Sequence, residues 1–155
     1  MRKKTICIIF GGISVEHEVS IISANSILNN IDFKNYRPIG LYLTKKGGFR
    51  YCKIINKSGK KQFLPQAYST SFKPGTSKPI QINKNTSIDV DVFFPIIHGT
   101  GGEDGSIQGL IKTLDRPFVG CDILGSAITM NKILTKELVK NCLLYTSPSP
   151  RDLAV

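Results

Sequence analysis

Apolar residues along this chain come in short runs separated by glycine, proline and polar stretches, and the runs change period. Thr5 to Phe10 is continuous and β-prone, which predicts a strand buried on both faces. Gly11-Gly12 ends it. Ser14 is placed to cap a helix running to about Asn29, with Val15, Val19 and Ile22 on one stripe. Ile21, Ala24 and Leu28 lie beside that stripe and widen the predicted apolar face. Pro38 to Thr44 predicts a second strand, and Lys46-Gly47-Gly48 turns it into a hairpin partner at Phe49 to Cys52. Residues 54–87 show weak periodicity and are rich in Lys, Ser, Gln, Asn and Pro, which predicts a partly ordered surface insertion. Val90 to Ile97 is a third strand, with His98 where it ends. Ile107, Leu110, Ile111 and Leu114 follow i, i+3, i+4, i+7, the signature of an amphipathic helix. Phe118-Val119-Gly120 reads as a short fourth strand, and Ser126 to Val139 as one or two helical segments.

Strands alternating with helices predict a doubly wound, Rossmann-like α/β fold, a parallel sheet with helices on both faces. The length, 155 residues, is enough for one domain with a core and short for two. A formal net charge of +10 raises the question of nucleic acid. The lysines, however, are scattered among Gly, Ser, Asn and Gln with no aromatic residues between them to stack bases, so a solvated surface is the reading. Thr5 to Phe10 is far shorter than the roughly 20 apolar residues of a membrane span, and no cleavable leader pattern accompanies it. The chain is read as cytoplasmic, with no membrane partner. Its four cysteines show no CxxC spacing and no Cys/His cluster, so free, mostly buried thiols and no metal site are expected.

Two glycine-rich motifs stand at the carboxyl ends of predicted strands, where open α/β sheets bind ligands. In Gly11-Gly12-Ile13-Ser14-Val15-Glu16-His17-Glu18-Val19-Ser20 the glycines permit a tight turn into a helix start. Neither the GxGxxG pattern nor the lysine-bearing phosphate loop is present. Glu16 and Glu18 would repel a phosphate and suit a ligand carrying an ammonium group. The plain alternative is that both merely complement the helix dipole, worth about 0.3–1 kcal/mol each. His17 is read as a surface residue. In His98-Gly99-Thr100-Gly101-Gly102-Glu103-Asp104-Gly105 the glycines mark a shaped loop. An acidic partner within it can orient the His98 imidazole, and Asp104 is read as the N-cap of the next helix.

HGTGGEDGSIQG, residues 98–109, resembles the motif H-G-x-x-G-E-D-G-x-[apolar]-Q-G of D-alanine–D-alanine ligases at every fixed position. GGISVEHEVS resembles that family's opening motif GGxSxEHEVS. Arg116-Pro117-Phe118-Val119-Gly120 is similar to its Pro-[aromatic]-Val/Thr-Gly. Ser126 to Lys132 is similar to its S-A-x-x-M-D-K, departing at Asn131 where Asp is usual. The likeness runs from about Thr5 to Lys140. It implies an ATP-grasp ligase that phosphorylates one D-alanine and joins it to a second for peptidoglycan, with ATP and Mg2+ bound mainly by domains downstream. By the same resemblance, Glu16 binds the ammonium of the first D-alanine, Val19 contacts its side, His98 lines the pocket, Glu103 positions His98, and Lys132 reaches ATP phosphates. Members of the family are commonly homodimers.

The resemblance divides the chain into an amino-terminal substrate-binding α/β domain (residues 1–125) and the helical start of a connection to ATP-grasp domains (126–141). Residues 142–155 are read as a non-native tail. Cys142 to Asp152 is what a transposase adapter used in DNA library preparation encodes in one frame, which points to read-through. On this reading the chain is inactive alone. Two rivals are a stand-alone small-molecule-binding module and a nucleic-acid-binding domain.

Overall fold

The first apolar run lies where a doubly covered strand belongs. β1 (Lys4–Gly11) has parallel neighbours on both sides, β2 (Tyr36–Leu43) and β8 (Val92–Pro95), with Cys7 opposite Ile39 on one and Phe93 on the other. Cys7, Ile8, Ile9 and Phe10 are each at most 1% exposed. Period-two alternation sends them to two different cores. Ile8 and Phe10 meet Ala24 and Leu28 of α1 (His17–Asn30), together with Phe63. Cys7 and Ile9 meet Ile107 and Ile111 of α2 (Ser106–Thr113) on the opposite face. Burying side chains of this size contributes about 1.5–3 kcal/mol each. Helices therefore cover both faces, as the sequence predicts. The computed structural model describes residues 2–140. The tail assigned to residues 142–155 lies outside them.

The sheet is mixed, in the order β4-β3-β2-β1-β8, because the hairpin expected at Phe49 is longer than its first four residues show. β3 (Phe49–Lys57) runs antiparallel to β2, and β4 (Lys60–Pro65) pairs back onto it with Ile54 opposite Phe63. The edge of β4 is not bare. Asn25 and Asn29, one turn apart on α1, accept the Phe63 and Lys61 backbone N–H groups at 3.0 and 2.9 Å, and Asn29 also donates to the Lys61 carbonyl. Edge amides satisfied in this way cannot pair with another chain.

Segment 54–87 is thus more ordered than its composition predicts. After the β3–β4 hairpin comes a three-stranded antiparallel sheet of β5 (Ser71–Phe72), β6 (Ile80–Asn83) and β7 (Thr86–Ile88). Ile80, Ile82 and Ile88 drop into the α2-side core. A handful of correctly spaced isoleucines outweighs the many lysines and serines around them, and that is what weak periodicity hides.

The first helix needs the largest correction. It starts at His17, after a turn, and Ser14 does not cap it: the N-cap is Glu16, which makes no side-chain capping bond. Only part of the predicted apolar face is buried: Ala24 and Leu28 are, but the stripe of Val15, Val19 and Ile22 faces outward, 101%, 53% and 69% exposed. The buried residues are His17, Ser20, Ala24 and Leu28. At the amino end of the helix Ser20 bonds the Gly11 N–H and the Ile96 carbonyl, and farther along Ala24 and Leu28 pack on Ile8 and Phe10.

One smaller correction and one agreement concern the carboxyl half. Phe118 forms only an isolated parallel bridge to Phe93 instead of a strand. The predicted helical stretch is two helices, α3 (Ile123–Met130) and α4 (Lys132–Lys140), so the 125–126 boundary falls inside α3. Asn131 separates them, its side-chain oxygen accepting the Ile133 and Leu134 N–H groups at 3.1 and 3.2 Å. Asparagine caps a helix as well as aspartate does, so Asn131 serves this junction.

Candidate functional site: two loops joined at the mouth of the sheet

β1 and β8 are adjacent and parallel, so their carboxyl ends deliver the two glycine-rich loops to one place. Gly11 adopts φ +94°, and a Cβ there would lie 2.3 Å from the Leu43 carbonyl oxygen. Only glycine passes the end of β2 so closely. The Gly12 N–H then donates to that same carbonyl at 2.8 Å.

Serines fasten this first loop to the second. The Ser14 hydroxyl donates to the His98 carbonyl at 2.7 Å and accepts the Glu16 N–H at 3.2 Å. Fully buried Ser20 donates to the Ile96 carbonyl at 2.6 Å and accepts the Gly11 N–H at 2.8 Å. The Ser23 hydroxyl lies 3.3 Å from His98 Nε2. Three of these contacts tie the first loop and its helix to residues 96–98, and the other two close the turn within the first motif.

Glu16 and His98 consequently share one mouth. The Glu16 carboxylate rests on the backbone of Gly99, the residue after His98: a Cβ built on Gly99, whose φ is +72°, would be 3.0 Å from Glu16 Oε2. Glu103 joins them, its Oε1 3.7 Å from His98 Nδ1. The loop carrying Glu103 is held by its own backbone, with the Gly102 and Glu103 N–H groups both donating to the Gly99 carbonyl. Below His98 and Glu103 a cavity of about 350 Å³ opens toward Ile96, Gln108, Val119 and Met130.

Asp104 behaves differently from its predicted capping role. The N-cap of α2 is Gly105, in the left-handed region at φ +93°. Asp104 stands one residue earlier and accepts the Gly101 N–H at 2.8 Å and the Ser106 N–H at 3.0 Å. Desolvation works to raise its carboxyl, but the backbone N–H donors of Gly101 and Ser106 outweigh it and hold the group below the usual aspartate range. It ties the glycine loop to the first turn of the helix.

Other sequence-designated residues fall elsewhere. Val19 is exposed one turn along α1 from Glu16, on the side facing solvent. Glu18 points to Lys45, 3.2 Å away, and so is engaged apart from Glu16. Lys132 is the exposed first residue of α4, a helix that packs on α3 and buries no residue of its own. The structure pairs His98 with Glu103 at the cavity and sets the Glu16 carboxylate against the Gly99 backbone beside it, although Glu16 does not line that cavity; Lys132 lies in a different part of the chain. Of the described cysteines, Cys7 and Cys52 are buried and Cys121 is exposed, all free. Burial pushes the Cys52 thiol up to about 12 and that of Cys7 well above its ordinary value.

Sequence reasoning missed Ser20, Ser23 and His17. His17 is 2% exposed, not a surface residue as read. The available signal was the stripe His17, Ser20, Ala24, Leu28, which has helical spacing but is too polar to stand out beside Val15, Val19 and Ile22.

The chain resembles known proteins throughout. Residues 5–121 match the family model described as D-ala D-ala ligase N-terminus. A D-alanine–D-alanine ligase from Thermoanaerobacter sp. (strain X514) is 40% identical over 151 residues, covering 94% of this chain and 42% of the relative. Among solved structures, the D-alanine–D-alanine ligase from Coxiella burnetii superposes with a TM-score of 0.78 at 26% identity, over 97% of this chain and 47% of that one. VanG, a D-Ala:D-Ser ligase from Enterococcus faecalis, gives 0.69 at 28% identity, over 90% and 42%. The chain thus spans less than half the length of the relatives it matches. With the family model, the identities and the fold in agreement, the chain belongs to the D-alanine–D-alanine ligase family and corresponds to its amino-terminal domain.

Proposed function

We propose that this chain forms the wall that seats the first D-alanine in an ATP-dependent ligase making D-alanyl-D-alanine for peptidoglycan, and that it is inactive without the remainder of such an enzyme. The observation that carries the reading is the Glu16 carboxylate resting on Gly99 beside His98, with the two loops fastened by Ser14. A carboxylate at that point takes the ammonium end of an amino acid and leaves the substrate carboxylate directed outward. Val19, assigned to the side of the substrate by the family resemblance, is exposed and would meet it only when the site is covered. Glu103 holds the imidazole of His98 at the pocket wall.

In this reaction ATP supplies a phosphoryl group to one carboxylate oxygen of the first D-alanine. The amine of the second D-alanine attacks the acyl carbon, phosphate leaves and a proton is released. The residues of this chain bind and orient the first substrate. By the family resemblance Mg2+ is proposed to be held mainly by residues downstream, and no step is derived through it. Lys132 is proposed to reach ATP phosphates once α4 is covered by that part. The described residues include no helix long and apolar enough to cross a membrane, and a cytoplasmic location is part of the proposal.

Magnitudes support the dependence on a cover. A carboxylate and an ammonium 4 Å apart attract by about 1 kcal/mol in water and about 4 kcal/mol at the effective dielectric of a protein surface. Glu16 is exposed here, so the isolated chain should hold D-alanine weakly. Joining this chain to the downstream part of the Thermoanaerobacter relative gives the test. The fusion should release phosphate in the presence of ATP and D-alanine, and the chain alone should not. Glu16→Gln in the fusion should raise the KM for the first D-alanine at least about 10-fold, as loss of a charged hydrogen bond implies. An unchanged KM would refute the assignment.

A further inference from the structure

His17 sits inside the first motif, next to Glu16, and the reaction described above gives it no task. Its imidazole is 2% exposed and both ring nitrogens are engaged. Nδ1 lies 2.5 Å from the Gly12 carbonyl oxygen and Nε2 lies 3.0 Å from the Tyr42 hydroxyl. A carbonyl oxygen only accepts, so Nδ1 carries the proton, and Nε2 of the neutral ring receives the Tyr42 O–H. Tyr42 meets the imidazole edge-on at 5.4 Å between centroids and rests on Phe10 at 5.7 Å.

The consequence is mechanical. Between Gly12 and His17 the chain makes a short strap whose apex, Ile13 to Glu16, is mostly exposed. Glu16 makes no capping bond that would fix it. The strap is closed at its base by the imidazole reaching back to Gly12 and at its middle by Ser14 gripping the His98 carbonyl. Any buried imidazole needs partners for its nitrogens; what is particular here is that one partner is the residue opening the strap, Gly12, and the other is Tyr42 of β2.

We propose that His17 is a positioning residue for Glu16: held as the Nδ1–H tautomer between the Gly12 carbonyl and the Tyr42 hydroxyl, it closes the strap that lays the Glu16 carboxylate over Gly99. The inference rests on the proposed amine-binding role of Glu16 only where affinity is read. Nuclear magnetic resonance on the 155-residue chain tests it directly, because the sequence contains two histidines. Nitrogen-15 shifts of His17 should show a protonated Nδ1 and an unprotonated Nε2. Averaged tautomers, or a protonated Nε2 alone, would overturn the proposal.

Two substitutions separate positioning from packing. His17→Asn keeps a donor where Nδ1 stood, and His17→Leu removes both polar contacts. The Asn variant, which loses only the Tyr42 contact, should move the Glu16 and Gly99 amide resonances far less than the Leu variant does and keep D-alanine affinity within about 3-fold. The Leu variant should move those resonances and weaken D-alanine at least about 10-fold, the scale of one lost hydrogen bond to a charged group. Should the Leu variant not fold, Tyr42→Phe removes only the hydroxyl and should still shift the His17 nitrogens and the Glu16 amide. A folded Leu variant, or Tyr42→Phe, with Glu16 and Gly99 resonances unmoved would contradict the strap. If wild type takes up no D-alanine, the amine-binding role of Glu16 falls, while the resonances still decide the role of His17.

Discussion

The two ends of this chain that carry family-like residues are built in opposite ways. Around Glu16 and His98, Ser14, Ser20 and Ser23 link the loops, and Ser20 is wholly buried. Around Lys132, α4 has no buried residue, and Ile133, Leu134 and Leu138 are 74%, 50% and 51% exposed. The first region is preorganised by its own hydrogen bonds. The second presents an apolar surface with no cover among the described residues. Under the proposed function, the first-substrate end is braced within this chain, whereas the Lys132 end leaves apolar side chains for further contacts to cover.

The comparison can be broken most severely at Gly11. Gly11→Ala puts a Cβ 2.3 Å from the Leu43 oxygen in a backbone conformation of φ +94°. It should cost about 3 kcal/mol or more by strain and displacement, seen as a lowered urea midpoint. Lys132→Ala, the matching change at the other end, should move that midpoint by no more than about 0.5 kcal/mol. Next in size is Ser20→Ala. It leaves the buried Gly11 N–H and the Ile96 carbonyl without their partner and should cost about 1–3 kcal/mol by the same measurement.

A pH titration sharpens the contrast further. The Asp104 carboxyl is held below its ordinary value in the folded chain by the Gly101 and Ser106 N–H groups. A depressed carboxylate stabilises the fold above the unfolded value, and that contribution disappears as pH falls through the lower folded one. Acid should therefore loosen the glycine loop, an effect that Asp104→Asn would blunt. Amide exchange at Gly101 and Ser106 measured from neutral pH downward, corrected for intrinsic rates, would show it. An equal pH response in both proteins would count against the assignment.

Much of the fold is legible from the chain because burial on two faces leaves a continuous apolar run, as at Thr5–Phe10, and because one-sided burial leaves the i, i+3, i+4, i+7 spacing of Ile107 to Leu114. The candidate site is legible as motifs. What the sequence does not disclose is the orientation of the first helix. There Val15, Val19 and Ile22 lie outside while His17 and Ser20 lie inside with Ala24 and Leu28, since hydrogen bonding to Gly11, Gly12 and Ile96 helps to set the orientation at that end. Glu18 illustrates the same limit: two glutamates in one turn look equivalent, yet Lys45 takes one of them.

The central claim is that the braced mouth alone recognises the positive end of an amino acid. Titrating the chain with D-alanine while following its amide resonances tests this most directly. The account predicts saturable shifts centred on Glu16 and the backbone of His98 and Gly99, absent in Glu16→Gln, with α4 unmoved. Shifts confined to α3 and α4, or identical shifts in wild type and Glu16→Gln, would contradict it.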